Sequence, residues 1–396
     1  MYQRQQAQTL RQRIEETRKF IQVIAGPRQV GKSTLVKQVL HEINVPYHFA
    51  VAEDAPDRNP VWIREQWQQA RQKMDFNHYS QMLLIIDEIH KFDNWSEVVK
   101  GEWDKDSFND RNLKVIILGS SRLLLMDGLT ESLAGRFELI NMEHWSYKEM
   151  HDAFGFDLYH YIYFGGYPGG ASLIGDEKRW RNYIQNAIIE PAIAKDVLLT
   201  KRVYKPALLK QLFLLGCSYS GELLAFNKIL GQLQDAGNTD TLATYLNVLD
   251  ESCLLAGLQK YAVDNARKYR SIPKFLVYNS ALLSATDKGS FEQVVTDDQK
   301  WGRWVETAVG THLINNAKRL NYEVYYWRQK NEEVDYILLS NNKLVVIEVK
   351  SGRRKLNSGI FTFEDSYHPI RTWVVGTGGL DIEQFLQSDL SFLFME

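Results

Sequence analysis

The sequence predicts an α/β protein, with a doubly wound parallel sheet in its first third, a helical middle and a smaller α/β unit at its end. Three observations carry this reading. The apolar run Phe20 to Ala25 leads into Gly26-Pro-Arg-Gln-Val-Gly31-Lys32-Ser33-Thr34. A second run, Met82 to Ile86, ends in Asp87-Glu88. Near the end, Glu332 to Leu339 and Lys343 to Gly352, separated by Ser340-Asn-Asn342, read as a hairpin carrying acids and a lysine. Strand-sized apolar runs alternating with helix-sized polar stretches indicate β-α units and a parallel sheet.

Strands are predicted at 20–25, 46–52, 82–87, 114–119 and 137–142, with helices between them and the site at the strand C-terminal ends. The loop after the first strand matches G-x-x-x-x-G-K-[ST]. Its glycines turn backbone N–H groups toward a phosphate, Lys32 reaches the β and γ oxygens, and the Ser33 hydroxyl can hold magnesium. Gly26, Pro27, Arg28, Gln29, Val30, Gly31, Lys32, Ser33 and Thr34 are therefore expected to bind ATP, with the positive end of the following helix adding to the cradle. Asp87, at the tip of a buried strand, suits the water shell of the magnesium. Glu88 is placed to activate the attacking water.

The strand Lys114 to Leu118 ends in Gly119-Ser120-Ser121. Ser120 is a candidate γ-phosphate sensor, or a helix cap for the segment from Arg122 to Met126. Arg136, just before the strand Phe137 to Asn141, can stabilise transition-state charge in its own chain or in a neighbour, or form a surface salt bridge, with Arg122 the weaker alternative.

Composition bounds the rest. The chain has 396 residues, 44% hydrophobic and 24% charged, enough for two to four domains with large cores. The apolar runs are too short to span a bilayer and the polar start lacks a signal peptide's apolar core, so a cytoplasmic protein without membrane association is expected. Cys217 and Cys253 are expected to be buried thiols, since no histidine stands at ligand spacing. A net charge of −2 gives no global case for nucleic acid, which leaves local patches to make one.

With Glu88 directly after Asp87 and an extra strand between the loop and Asp87, the order of elements resembles the AAA+ branch of P-loop ATPases. More narrowly, GPRQVGKST, LLIIDEIHKFDNW and LGSSRLLL resemble prokaryotic AAA-family ATP-binding proteins with a nuclease-like C-terminal domain, and the resemblance runs over nearly the whole chain. It implies an AAA-type ATPase domain at 1–145, a helical lid at 146–204, a winged-helix-like domain at 205–262 and a nuclease-like domain at 263–396. Phe164-Gly-Gly-Tyr-Pro-Gly169 matches the family's G-G-[YF]-P element, flanked by helices at Trp145 to Phe154 and Trp180 to Leu199. Packing is the expected role of Tyr167.

Between Lys205 and Tyr261 the order is helix, a second helix near Leu223 to Leu233, a loop, a third helix at Thr241 to Asp250 and a strand at Leu254 to Tyr261, which resembles a winged helix. The third helix has no lysine or arginine, and Asp235, Asp240, Asp250 and Glu251 surround it, so it is expected to pack rather than read DNA. Phosphate contacts nearby fall to Lys201, Arg202, Lys205 and Lys210, or to Arg267, Lys268 and Arg270.

In the C-terminal hairpin the two-residue period puts Glu348 and Lys350 on one face, and the hairpin can bring Asp335 beside them. Two carboxylates and a lysine can hold a divalent metal and position a water for phosphodiester attack. This D…ExK pattern resembles the PD-(D/E)xK nuclease core, in which Glu306 falls where the fold often supplies another ligand. Asp335, Glu348 and Lys350 are the candidate catalytic group, and Glu306, Asp335 and Glu348 the candidate metal ligands. A cross-strand salt-bridge network is the alternative. Arg353, Arg354 and Lys355 favour an anionic partner. Relatives tend to carry aspartate after the strand Lys274 to Tyr278, where this chain has Asn279-Ser280. DNA or RNA is the expected partner of this domain, with a second copy of the chain or a regulatory protein as further partners.

Overall fold

The computed structural model describes residues 2–119, 122–197, 203–233, 237–263, 271–352 and 358–395. Within these, the side chains at 122–124, 130–131 and 195–196 are not described. The chain divides into two compact units, one ending at Glu143 and the other beginning at His144.

The first unit is built on a parallel sheet of β1 (Ile21–Ala25), β2 (Tyr47–Val51), β3 (Met82–Asp87), β4 (Leu113–Gly119) and β5 (Phe137–Asn141), in the order β2-β3-β4-β1-β5. All five runs expected from the sequence are present. β1, β3 and β4 are buried along their whole length, as strands covered on both faces must be, which is why they read as unbroken apolar runs. β2, at an edge, alternates buried positions with exposed or half-buried ones. The helices α1 (Gln6–Glu15), α2 (Lys32–Glu42), α3 (Val61–Phe76), α4 (Trp95–Phe108) and α5 (Arg122–Ser132) accompany the sheet. On one side, Trp62, Ile63, Trp67 and Val99 join Leu84, Ile86, Val115 and Ile117 in one core.

Polar groups in this core are paired. Asp106 accepts from Trp67 Nε1 at 2.7 Å and from Arg71 Nε at 2.8 Å, while Arg71 also holds Glu102 at 2.6 Å. The buried Lys114 Nζ donates to the carbonyls of Ile14 and Glu16 at 2.5 and 2.6 Å. It thereby fills two of the acceptor sites that the end of a helix leaves open.

In the second unit, a helical region leads to two sheets. The Gly165-Gly166-Tyr167 turn lies between the helices Leu158–Phe164 and Glu177–Tyr183, the latter continuing in π-helical turns over Ile184–Ile189 and Ala192–Val197. The helices Pro206–Ser218, Phe226–Leu230 and Thr239–Glu251 precede β6 (Leu255–Leu258), which pairs antiparallel with β7 (Lys274–Val277). The middle helix is shorter than the sequence implied.

A 23-residue helix, Asp298–Leu320, packs on a four-stranded sheet ordered β11-β10-β9-β8. Its strands are β8 (Glu323–Gln329), β9 (Glu332–Ser340), β10 (Lys343–Lys350) and β11 (Arg371–Gly376). β9 and β10 form the expected hairpin. Ser340 pairs with Lys343, and the two turn residues, Asn341 and Asn342, have φ of 47° and 63°. A two-residue turn of this hand matches strand twist, and asparagine tolerates it best after glycine.

Both cysteines are free and buried. Among the described residues, no helix is long and apolar enough to cross a membrane.

Candidate functional site

In the first unit, β1 delivers the loop Gly26 to Gly31 to the C-terminal edge of the sheet. Gly26 must be glycine because a Cβ there would lie 2.1 Å from the Met142 carbonyl oxygen, in the segment following β5. Gln29 and Gly31 take φ of 62° and 91°, and a Cβ on Gly31 would meet nothing within 4 Å. The loop thus curls with its backbone open where α2 begins. Lys32, 7% exposed, donates from Nζ to the carbonyls of Gly26 and Pro27 at 3.0 and 2.8 Å.

Next to it, Ser33 Oγ donates to Asp87 Oδ2 at 2.6 Å. Burial pushes the Asp87 carboxyl up, with the Ser33 hydrogen bond and the Lys32 charge acting against it. A hydroxyl and a carboxylate meeting at one corner are hard oxygen donors, and they fit a hydrated magnesium. The loop's backbone N–H groups and Lys32 fit the phosphates of ATP. Glu88, with φ of 59° and ψ of 30°, sits in left-handed geometry, uncommon for a non-glycine residue and concentrated at working sites.

Two supporting residues escaped the sequence reading. Arg4 Nη1 holds the carbonyls of Val30 at 3.4 Å and Glu143 at 2.9 Å, bracing the loop from the start of the chain. His90 places Nε2 3.6 Å from Glu88 Oε2, while its Nδ1 would lie 2.8 Å from a Cβ on Gly119. Burial, with the charges of Lys91, Arg28 and Lys32, pushes His90 down to about 3, so the ring beside Glu88 is neutral. The Asp-Glu-x-His spacing was the available signal for His90; Arg4 left none.

Arg136 is not brought to the loop of its own chain. Its carbonyl accepts from Ile21 N at the start of β1, the edge of the sheet opposite the loop, and its guanidinium grips Asp104 at 2.8 and 3.1 Å. In a parallel sheet, the residue before a strand lies at the edge away from the strand C-termini. Ser120 lies outside the described residues, as does the side chain of Arg122.

In the second unit, the hairpin register sets Asp335 beside Glu348. Asp335 Oδ2 accepts from Val349 N at 2.8 Å, and Lys350 Nζ pairs with Glu348. Glu306, on the 23-residue helix, is held by a residue the sequence reading had not placed here: Lys274 Nζ lies 2.6 Å from Glu306 Oε1. Glu306, Asp335, Glu348 and Lys350 line a cleft of about 990 Å³ with Glu333 and Arg303.

The three expected metal ligands are therefore near one another but already engaged. Among the described residues, no group of three or more His, Cys, Asp or Glu is placed to hold a metal ion. Glu348 Oε2 is buried without a hydrogen-bond partner. Burial, with the Asp335 charge added and Lys350 opposing, pushes that carboxyl up. With Lys274 on Glu306 and Lys350 on Glu348, the expected set as paired here does not fit a divalent ion.

Asn279 has a structural task. Its Oδ1 accepts from Gly166 N at 3.0 Å and Ala281 N at 3.2 Å, and its Nδ2 meets His144 Nδ1 at 3.2 Å. Tyr167 is buried edge-on to His144 with ring centroids 5.2 Å apart, a packing role. Arg267, Lys268, Arg270, Lys201, Arg202, Asp235 and Arg353 to Lys355 lie outside the described residues.

Residues 18–151 match the model of an AAA domain, 155–292 a domain of unknown function (DUF8612) and 301–388 another (DUF4143). An uncharacterized protein of Haemophilus influenzae is 23% identical over 349 residues, covering 83% of this chain and 82% of that protein. The uncharacterized protein MJ1637 of Methanocaldococcus jannaschii is 25% identical over 390 residues, covering 86% and 77%. Among solved structures, the Walker-type ATPase PABY2304 of Pyrococcus abyssi is similar at a TM-score of 0.47 and 14% identity, covering 72% of this chain and 96% of that one. The AAA-domain match and the parallel sheet with its loop together support a P-loop ATPase fold for the first unit.

Proposed function

We propose that this chain is a magnesium-dependent ATPase whose nucleotide state controls a nuclease-like C-terminal domain that binds nucleic acid. The observation that carries it is the Ser33 to Asp87 contact of 2.6 Å beside Lys32 and Glu88. Lys32 and the backbone of Gly26 to Thr34 hold the phosphates, Ser33 and Asp87 hold magnesium through its water shell, and Glu88 accepts the proton of the attacking water. Bound magnesium supplies charge stabilisation for the leaving phosphate oxygens. Neutral His90 keeps Glu88 oriented without competing for its charge. Ser120 serves as the γ-phosphate sensor, and Arg136 acts on the site of a neighbouring copy. In the middle of the chain, 146–204 form the lid and 205–262 the winged-helix-like domain.

A second reading has the chain as a switch with little turnover and a catalytically silent C-terminal domain that binds a partner. The engaged state of Glu306, Asp335 and Glu348 favours its second half. Steady-state ATP hydrolysis against a panel of single-stranded DNA, duplex DNA and RNA tests both. Magnesium-dependent turnover stimulated by one nucleic acid supports the first reading. Nucleotide binding without turnover under every condition replaces it with the second.

A further inference from the structure

Lys274 is the first residue of β7 and is fully buried. Around its ammonium stand Glu306 Oε1 at 2.6 Å, the Asp335 carbonyl at 3.3 Å, Glu333 Oε1 at 3.9 Å and Asp335 Oδ1 at 4.0 Å, with the Tyr336 ring centroid at 4.9 Å. Three carboxylates and a backbone carbonyl are the kind of oxygen set a hard divalent cation takes. Here they converge on an ammonium from the chain itself.

Burial alone would push the Lys274 ammonium to release its proton, but Glu306, Asp335 and Glu333 more than reverse this and hold it charged. A tethered cation competes with a free ion at high effective concentration. Moving it aside would leave half-buried Glu306 without its counter-charge, which is costly. The remaining acid, Glu348, is closed by the second lysine, Lys350.

We propose that Lys274 is a resident cation in the metal position of the C-terminal core, so that this domain assembles without a divalent ion and holds its partner without cutting phosphodiesters. The proposal rests on the nuclease-like reading of 263–396.

The test is manganese binding to the full-length, nucleotide-free chain carrying Asp87→Ala, which disables the metal corner of the ATP site, followed by electron paramagnetic resonance of free Mn²⁺. The expected result is no site tighter than about 1 mM, the weak end of protein oxygen sites. Adding Lys274→Met should then create one site at least about tenfold tighter, a shift of one decade in Kd. One equivalent bound with Lys274 in place, and lost on Glu306→Gln or Asp335→Asn, overturns the proposal and leaves the nuclease-like reading standing. No site with or without Lys274, in a chain whose melting curve shows it folded, overturns the nuclease-like reading and the proposal with it. Should Lys274→Met fail to fold, the Asp87→Ala chain with and without Glu306→Gln decides alone: a site lost on that change overturns the proposal, and no site upholds it.

Discussion

In the first unit, Lys32 turns its ammonium onto two loop carbonyls at 3.0 and 2.8 Å and leaves Asp87 to a neutral hydroxyl. In the second, Lys274 turns its ammonium onto Glu306 at 2.6 Å, with Asp335 and Glu333 close behind. Both lysines are buried beside acids. A lysine on carbonyls keeps its net charge for an incoming anion, whereas one on carboxylates has that charge neutralised before any ligand arrives. The same residue types thus make a receptive site in one place and a closed one in the other.

The sharpest way to break this contrast is at the receptive site. Glu88→Gln should lower ATP turnover by about 10²- to 10⁴-fold, the usual worth of a positioned general base, with binding of a fluorescent ATP analogue retained. Lys32→Ala should abolish binding as well. Undiminished turnover in both variants would remove the hydrolytic reading.

Stability separates the two lysines next. Lys274→Ala leaves half-buried acids without a counter-charge and should cost about 2–3 kcal/mol in urea unfolding. Lys32→Ala loses hydrogen bonds to carbonyls that loop water can replace, and should cost about 1 kcal/mol. Equal losses would show that Lys32 is also a structural ion and end the contrast.

The smallest effect is expected at Arg136. Its ion pair with Asp104 is partly exposed, so Arg136→Ala should cost less than about 1 kcal/mol. Turnover at high dilution should be unchanged, because this guanidinium lies at the far edge of the sheet. A loss that grows with protein concentration would assign it to a neighbouring copy's site.

What could be read from the sequence was what lies close along the chain. Gly26 to Thr34 is one contiguous stretch running from β1 into α2, and Asp335, Glu348 and Lys350 share a hairpin whose turn, Asn341-Asn342, is itself a local signal. For Arg136 the sequence left its own chain, a neighbour and a salt bridge all open, although the rule that a strand begins at the edge opposite its C-terminal loop was available to narrow the choice. Lys274 could not be foreseen as a partner of Glu306, 32 positions on, or of Asp335, 61 positions on, since β7, the long helix and β9 meet only once packed. The expected metal set meets lysines for that reason: sequence lists the acids, and only packing reveals the cation among them.

Asn279 also settles which hydrogen a ring carries. His144 Nε2 faces the Cys253 carbonyl at 3.0 Å and must donate, so Nδ1 must accept, and the Asn279 amide, fixed by two backbone donors on its oxygen, offers a hydrogen there at 3.2 Å. Aspartate at this position would have none to give, and the ring would need a proton on both nitrogens to keep the joint closed. With asparagine, the link between the Gly165-Gly166 turn and the strand ending beside it is made by the neutral ring, with no second proton to find.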